Sequence, residues 1–392
     1  MTDHISRLRA TAALLALLPV ATMRAQGGAA FDSSAWDIHA SESRIERYRG
    51  RSALVLRDGA AWLKGRRFHN GTIEFDIAFS DTGGFPGIAF RAATHSDFEL
   101  FYLRQALSGG PHATQYTPVL HGLYAWQIYA GSAWEGTARW TYDRWMHVRL
   151  VVRGPRAELF VDSDSAVQVV PRLRGPDGAG GGEIGLLSGT GARFANVVVR
   201  PDSAPQMVTM SSAARDSTPS PPSPPSPPSP PSPPAPSTIV RSWRVSTPFP
   251  ESTLVRVTEL GVLPAGGAWM EGALDVEERG IANLARVAGN AGGRNTVVAA
   301  VTLTSDRARI VRVRFGYSDR VRVFLNGRLL YAGSSGFGTR DPEFLGLVGL
   351  FDELALPVKR GANELWFAVS ETFGGWAVTA DVADHSGIVV TP

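Results

Sequence analysis

The sequence predicts an all-β fold class, with two β-sandwich (jelly-roll) domains joined by a Ser/Pro-rich linker. Short segments alternate apolar and polar residues with the period of two that a half-buried strand shows. No long segment has a helical period. A composition with 42 Gly, 18 Phe and 10 Trp and with little charge favours strands and turns over helices.

The first sandwich is clearest in the range 68–91, where two alternating segments flank a Gly-rich turn. Ile73, Phe75 and Ile77 point to one side and predict a strand with one face in a core. Arg91 lies with small residues on the opposite face of the second strand, a pattern typical of a sheet surface that accepts a ligand. We therefore predict that the range 68–91 places a ligand-facing surface beside the core.

Later segments complete this sandwich. The range 98–104 is apolar on both faces and predicts a central strand. A long segment without clean alternation follows, and it is rich in His, Gln, Tyr and Trp, which predicts a functional loop. A hairpin and two closing strands are predicted at 145–153, 157–162, 183–188 and 192–199.

Four groups of residues in this order resemble the concanavalin A-like lectin/glucanase sandwich: GTIEFDIAF, GFPGIAFR, WMHVRLVVRGPRAELFVD, and EIGLLS with ARFANVVV. The chain also resembles laminin-G-like modules and the 3-keto-disaccharide hydrolase group. The resemblance covers most of residues 31–201 and implies a carbohydrate ligand. Family 16 glucanases carry Glu, Asp and Glu at alternate positions of one strand, whereas this chain has Glu74, Asp76 and Ala78. We therefore expect binding without that catalytic set, and Glu74 as a structural or surface carboxylate.

Polar and aromatic side chains on the central strands and in the long loop are the candidate ligand-binding residues. Sugar hydroxyl groups pair with Arg, Gln and Glu, and sugar C–H faces stack on Trp or Tyr. The candidates are Arg91, Tyr102, Arg104, Gln115, Tyr116, Trp126 and Gln127. The alternative is that the aromatic residues among them belong to the core and the arginines are solvated.

Two other functions stay open. The first is a hydrolase acting on a glycan, with Glu99 or Glu135 as the acid or base, and it includes 3-keto-disaccharide hydrolase-like chemistry with Arg104 stabilising an enolate. The second is a purely structural surface protein. The histidines lack the spacing of metal ligands, so no metal site and no cofactor are predicted, and calcium is possible without being indicated.

The range 1–25 has a charged start, a short apolar run and a small residue at a plausible cleavage point, and it predicts a signal peptide. We expect an exported protein, periplasmic or extracellular, with no membrane span in the mature chain. The chain has no Cys and therefore no disulfides. Its net charge of +3 falls to about +1 without the signal, because three arginines and one aspartate leave with it, so nucleic acid is not an expected partner.

Residues 202–237 are predicted to be a disordered linker, in which a repeated Ser-Pro-Pro tract forms a stiff polyproline II spacer. This tract has no large apolar side chain that could dock one domain on the other. We therefore expect the two domains to fold and move independently.

The second domain, residues 238–391, has predicted strands at 308–317, 320–333, 363–371 and 374–382 with an Asn-Gly turn in the second. Residues 295–382, with VFLNGRLLY, LPVKRGANELWFAV and GGW, resemble the galactose-binding-like jelly roll appended to β-galactosidases. Such domains bind sugar or brace a neighbour. Trp269, Arg340 and Trp376 are the residues that could line a sugar site here.

Overall fold

The computed structural model describes residues 31, 34–80, 83–176, 181–202, 237–383 and 385–392. Strands dominate these residues and the described part of the chain contains no α-helix, so the all-β prediction is confirmed. No helix in these ranges has the length and apolarity needed to cross a membrane. The predicted signal peptide and nearly all of the predicted linker lie outside the described residues.

Residues 34–202, here the N-terminal unit, form one antiparallel sheet system in the order β11-β10-β9-β3-β13-β2-β12-β4-β5-β6-β7, with β1 on β2 and β8 on β6. Its strands are β1 Trp36–Tyr48, β2 Arg51–Leu63, β3 Gly71–Ala78, β4 Gly87–Thr94, β5 Asp97–Leu103, β6 Thr114–Leu120, β7 Leu123–Tyr124, β8 Glu135–Gly136, β9 Met146–Arg153, β10 Arg156–Val161, β11 Gln168–Val170, β12 Glu183–Ser188 and β13 Ala192–Pro201. One 3₁₀ turn, Gln105–Leu107, follows β5.

The long strand β2 divides this system into two layers. Residues 54–56 pair with β13, whereas residues 59–62 pair with β12. Asp58 lies between the two pairings with a φ of 44°, in the left-handed region, so the strand bends where it changes partner. One layer therefore runs from β11 to the start of β2, and the other runs from the end of β2 to β7.

The core of the N-terminal unit fills the space between the layers. Ile73, Phe75 and Ile77 are fully buried in it, as their alternation predicts. The predicted long loop is wrong in part, because Thr114–Leu120 is a strand in which every residue is buried. A strand with both faces covered carries no polar alternation to reveal it. The predicted hairpin and both closing strands are present as β9, β10, β12 and β13.

Residues 237–392, here the C-terminal unit, form two antiparallel sheets, β14-β24-β19-β22 with β17 on β24, and β16-β15-β18-β23-β20-β21 with β25 on β18. Their strands are β14 Ser237–Ile239, β15 Ser242–Val245, β16 Leu274–Asp275, β17 Ala282–Asn283, β18 Thr296–Ser305, β19 Arg309–Ser318, β20 Arg320–Leu325, β21 Arg328–Ser334, β22 Asp352–Val358, β23 Gly361–Ser370, β24 Ala377–Ala383 and β25 Ile388–Thr391. Short 3₁₀ turns occur at Glu251–Leu254, Glu278–Gly280, Leu284–Arg286 and Ala291–Gly293.

The larger of these sheets has its own cover on the outer face. Phe324 and Trp366 project from β20 and β23 into a separate apolar cluster. Phe249, Leu254 and Leu260, from the segment between β15 and β16, close this cluster and are themselves buried. The outer face of this sheet is therefore sealed within the C-terminal unit.

The two units are in contact, which differs from the expected absence of docking, and independent folding stays a prediction. In the described residues no strand of one unit pairs with a strand of the other. Hydrogen bonds and side-chain packing join them instead, including a backbone bond from the Gln127 N–H to the Gly374 carbonyl at 3.0 Å. Gln127 accepts a hydrogen bond from the Ser318 hydroxyl at 2.8 Å, and Tyr129 donates one to Glu277 at 2.7 Å. Val348 packs into the core of the N-terminal unit. These contacts arise from residues that follow β7, and linker composition carries no information about them.

Candidate functional site

The outer face of the second layer of the N-terminal unit forms a groove with a cavity volume of about 1190 Å³. The C-terminal unit supplies part of one wall. Residues of both units line it: His39, Asp58, Gly59, Ala60, Trp62, Gly83, Gly84, Phe85, His95, Phe98, Leu100, Tyr102, Arg104, Ala106, Leu107, His112, Tyr124, Trp126, Leu187, Ser188, Gly189, Phe337, Leu345 and Phe373. We call this feature the groove.

The floor of the groove is apolar. Phe98, Leu100 and Tyr102 alternate along β5 with residues that point into the core, so all three reach the outer face. Trp62 from β2 joins them in one cluster. His95 lies parallel on Trp62, with ring centroids 4.2 Å apart. The floor is therefore a run of flat rings and aliphatic side chains.

The wall from the C-terminal unit consists of Phe337, Leu345 and Phe373. Trp126 of the N-terminal unit meets both phenylalanines edge to face, with centroids 6.4 Å from Phe337 and 5.8 Å from Phe373. Gln127 holds this wall in place, because its amide nitrogen donates to the Leu345 carbonyl at 2.9 Å. The groove is thus complete only when the two units are docked.

A polar network lies at one end of the floor. Gln115 is fully buried, and its side-chain oxygen accepts hydrogen bonds from the Tyr102 hydroxyl and the Arg104 guanidinium. Its amide nitrogen donates to the backbone carbonyls of Trp126, at 3.0 Å, and Tyr129, at 2.5 Å. Burial raises the pKa of Tyr102 to about 12, so this hydroxyl stays a hydrogen-bond donor at neutral pH.

Glu135 extends the network to the rim. One of its carboxylate oxygens accepts from Arg104 at 2.7 Å, and the other contacts His112 Nδ1 at 2.9 Å and the Gly131 N–H at 2.6 Å. The carboxylate is buried, whereas the His112 side chain is 54% exposed and lines the groove. Glu135 therefore orients the Arg104 guanidinium and the His112 imidazole from beneath, and it does not itself line the groove.

The structure brings three of the predicted ligand-binding residues to the groove, namely Tyr102, Arg104 and Trp126, with Gln115 directly beneath. Arg91 lies elsewhere. It sits in an irregular stretch of β4 with a φ of 51°, and its guanidinium donates to the His69 carbonyl at 2.7 Å and the Gly154 carbonyl at 2.6 Å. This arginine ties a strand to a turn.

Tyr116 and Glu99 are core residues. They lie on the neighbouring strands β6 and β5, where Tyr116 pairs with Phe101 and Glu99 with Pro118, and the tyrosine hydroxyl donates to the glutamate. Burial raises the pKa of Glu99 to about 7, against opposing hydrogen bonds from Tyr116 and the Gly175 backbone. The carboxyl group of Glu99 points away from the groove, because its neighbours on β5 occupy the outer face. Gln127 is equally buried and joins the two units.

Carboxyl groups do not converge in the groove. Among the described residues that line it, only Asp58 has one. Glu74 pairs with Arg200 on the other layer. A retaining or inverting glycosidase mechanism needs two carboxyl groups flanking one bond. Within the described ranges there is also no group of three or more His, Asp or Glu side chains able to hold a metal ion.

Sequence reasoning missed most of the apolar lining. Phe85, Leu107, Tyr124, Phe337 and Phe373 line the groove and are exposed. Residues 374–382 are predicted as a closing strand, but nothing in the sequence shows that the chain just before it reaches the N-terminal unit. Alternation along β5 was the one available signal, since it placed Phe98 and Leu100 with Tyr102.

The candidates in the C-terminal unit contact different neighbours. Trp376 is fully buried and donates its indole N–H to the Val369 carbonyl, so it is a core residue. Trp269 packs against Trp366 beneath an arginine. Arg340 is paired with Asp352.

No protein-family model matches the sequence, and no curated protein matches it either. Solved structures do resemble part of it. The carbohydrate-binding module CBM66 from Bacillus subtilis has 15% sequence identity, covers 42% of this chain and 93% of its own, and gives a TM-score of 0.31. The β-glucanase of Bacillus licheniformis has 9% sequence identity, and the match covers 44% of this chain and 94% of the glucanase, with a TM-score of 0.32. A β-1,3-glucanase from Mycobacterium marinum has 14% sequence identity, and the match covers 44% of this chain and 94% of that enzyme, with a TM-score of 0.27. Each match spans less than half of this chain, and the galactose-binding-like resemblance stays a prediction.

Proposed function

We propose that this protein binds a glycan in the groove and does not cleave it. The observation that carries the proposal is an aromatic-lined groove with polar groups at its margins. Its volume of about 1190 Å³ slightly exceeds that of ordinary small-molecule sites, about 300–1,000 Å³. Tyr124 and Trp126 offer rings to the C–H faces of sugars. His112, Asp58 and Ser188 offer partners to hydroxyl groups.

The absence of cleavage follows from the carboxyl groups. Asp58 alone among the described lining residues could take up or release a proton as a carboxylic acid. Glu135 is already bonded to Arg104, His112 and a backbone N–H. Assisted departure of the leaving oxygen and assisted attack on the anomeric carbon need two such groups. We expect no new reducing ends when the purified full chain is incubated with β-glucans or galactans.

The test is retention of the full chain on a panel of immobilised β-glucans and galactans. Trp126→Ala should weaken retention about fivefold, because a stacking ring worth about 1 kcal/mol is lost. Trp145→Ala is the matched control: this tryptophan is also partly buried, but it packs on Tyr48 away from the groove. Equal retention of both variants, or release of soluble sugar by the wild-type chain, would contradict the proposal.

An exported location belongs to the same proposal. It is supported by the charged start and apolar run of residues 1–25. The check is the N-terminal residue of the protein recovered from outside the cytoplasm, which should follow Ala25. An intact N-terminus on a protein confined to the cytoplasm would contradict it.

A further inference from the structure

The rim of the groove is unusually rich in exposed apolar side chains. Of the twelve large apolar residues that are exposed in the described part of the chain, six line this groove, with exposures from 43% to 61%. They are Phe85, Leu107, Tyr124, Phe337, Leu345 and Phe373. A concentration of this kind marks a surface that is covered by a partner or ligand in use.

The polar and apolar lining residues come from different parts of the molecule. The charged and hydrogen-bonding side chains of the groove, including Asp58, Arg104 and His112, all belong to the N-terminal unit. The described C-terminal unit contributes only Phe337, Leu345 and Phe373. A ligand that spans the groove therefore meets hydrogen-bonding groups on one side and a wholly apolar, uncharged wall on the other.

Much of the polar capacity is already used within the protein. Arg104 donates to Glu135 and Gln115, and His95 is bonded to Glu183 at 2.9 Å. A plain glycan laid along the whole groove would lose water from its hydroxyl groups opposite the C-terminal wall and gain no hydrogen bond there. An alkyl or acyl chain in the same place would gain about 0.8 kcal/mol, or about fourfold in affinity, for each methylene buried.

We propose, on the basis of the glycan-binding function above, that the ligand is a glycan bearing an uncharged alkyl or acyl chain. The sugar lies over the N-terminal unit near His112 and Asp58. The chain lies between Trp126 and the wall formed by Phe337, Leu345 and Phe373, which continues the contact between the units. The C-terminal unit thus determines specificity by recognising the apolar substituent.

The test is a calorimetric titration of the full chain with methyl, butyl and octyl glucosides and galactosides. Each glycoside is kept below its critical micelle concentration. The octyl glycoside should bind at least about tenfold more tightly than the methyl glycoside of the same sugar. In a Phe337→Ala/Phe373→Ala double variant, the ratio of octyl to methyl affinity should fall towards one. Phe351→Ala, which removes an exposed phenylalanine of the same unit outside the groove, should leave the ratio unchanged.

The failures are distinguishable. Equal affinity for methyl and octyl glycosides would overturn the inference and leave glycan binding standing. Binding of 1-octanol as tightly as the octyl glycoside would show that the sugar contributes nothing and would overturn both proposals. No binding of any probe, together with no retention on the glycan panel, would also overturn both. A ratio that falls equally in Phe351→Ala would show that the C-terminal wall is not what recognises the chain.

Discussion

The two units differ in what covers the apolar outer face of a sheet. In the C-terminal unit, Phe324 and Trp366 are sealed under Phe249 and Leu254 from the same unit. In the N-terminal unit, the corresponding apolar cluster around Trp62 is buried as well, but it lies beneath a groove whose rim consists of exposed side chains such as Phe85 and Tyr124. An apolar sheet face can therefore be covered by buried residues alone or lie beneath exposed side chains that line a groove.

The largest expected effect tests the sealed face. Phe324→Ala should lower the free energy of unfolding by about 3–5 kcal/mol, because it opens a cavity under a cover that cannot collapse completely. Phe85→Ala, on the rim of the groove, should cost about 0.5 kcal/mol or less, since this ring is 61% exposed. Urea unfolding of both variants measures the difference. Similar losses would mean that the two faces are not distinct.

The next effect tests which side of β5 is the interior. Glu99 has a pKa of about 7 in the folded chain against 4.5 for an ordinary glutamate. The folded protein then holds a proton that the unfolded chain has lost, so the free energy of unfolding should fall as pH rises from about 4.5 to about 7. Glu99→Gln should remove up to about 3 kcal/mol of this dependence.

The control for that experiment is Glu74→Gln, since this glutamate pairs with Arg200 at the surface of the other layer. Urea unfolding at several pH values gives the slopes. An unchanged slope in Glu99→Gln would show that this carboxyl group reaches water, as a groove residue would.

The smallest effect tests the docking of the units. Gln127→Ala should cost about 1–3 kcal/mol, because the Ser318 hydroxyl and the Leu345 carbonyl lose a buried partner. Gln168→Ala is the matched control, since this buried glutamine bonds within the N-terminal unit to Trp134. Calorimetry should separate the melting of the two units only in Gln127→Ala. Separation in neither variant would mean that other contacts hold the units together.

The sequence predicted what is local. Ile73, Phe75 and Ile77 are buried because alternation depends only on neighbouring residues. The turn at Asn326-Gly327 is present with both residues at positive φ, which this residue pair favours. Such elements need no knowledge of the rest of the chain.

What escaped prediction depends on residues far apart. An irregularity in β4 turns Arg91 away from the face that strict alternation assigns to it. The apolar wall of the groove comes from Phe337 and Phe373, more than two hundred positions along the chain from Trp126. Local pattern has no information about such a meeting, so the groove could be expected only as a surface of the first sandwich.

The Gln115 side chain contacts both the groove residues and the segment of the N-terminal unit that binds the C-terminal unit. Its oxygen holds Tyr102 and Arg104 at the groove, and its nitrogen holds the backbone of the segment whose next residues bind the C-terminal unit. Occupancy of the groove and docking of the units are therefore linked equilibria that share one amide group. If a ligand binds the docked form more tightly by some factor, it strengthens docking by the same factor. With the proposed ligand, we expect binding to favour the docked, more compact arrangement of the two units.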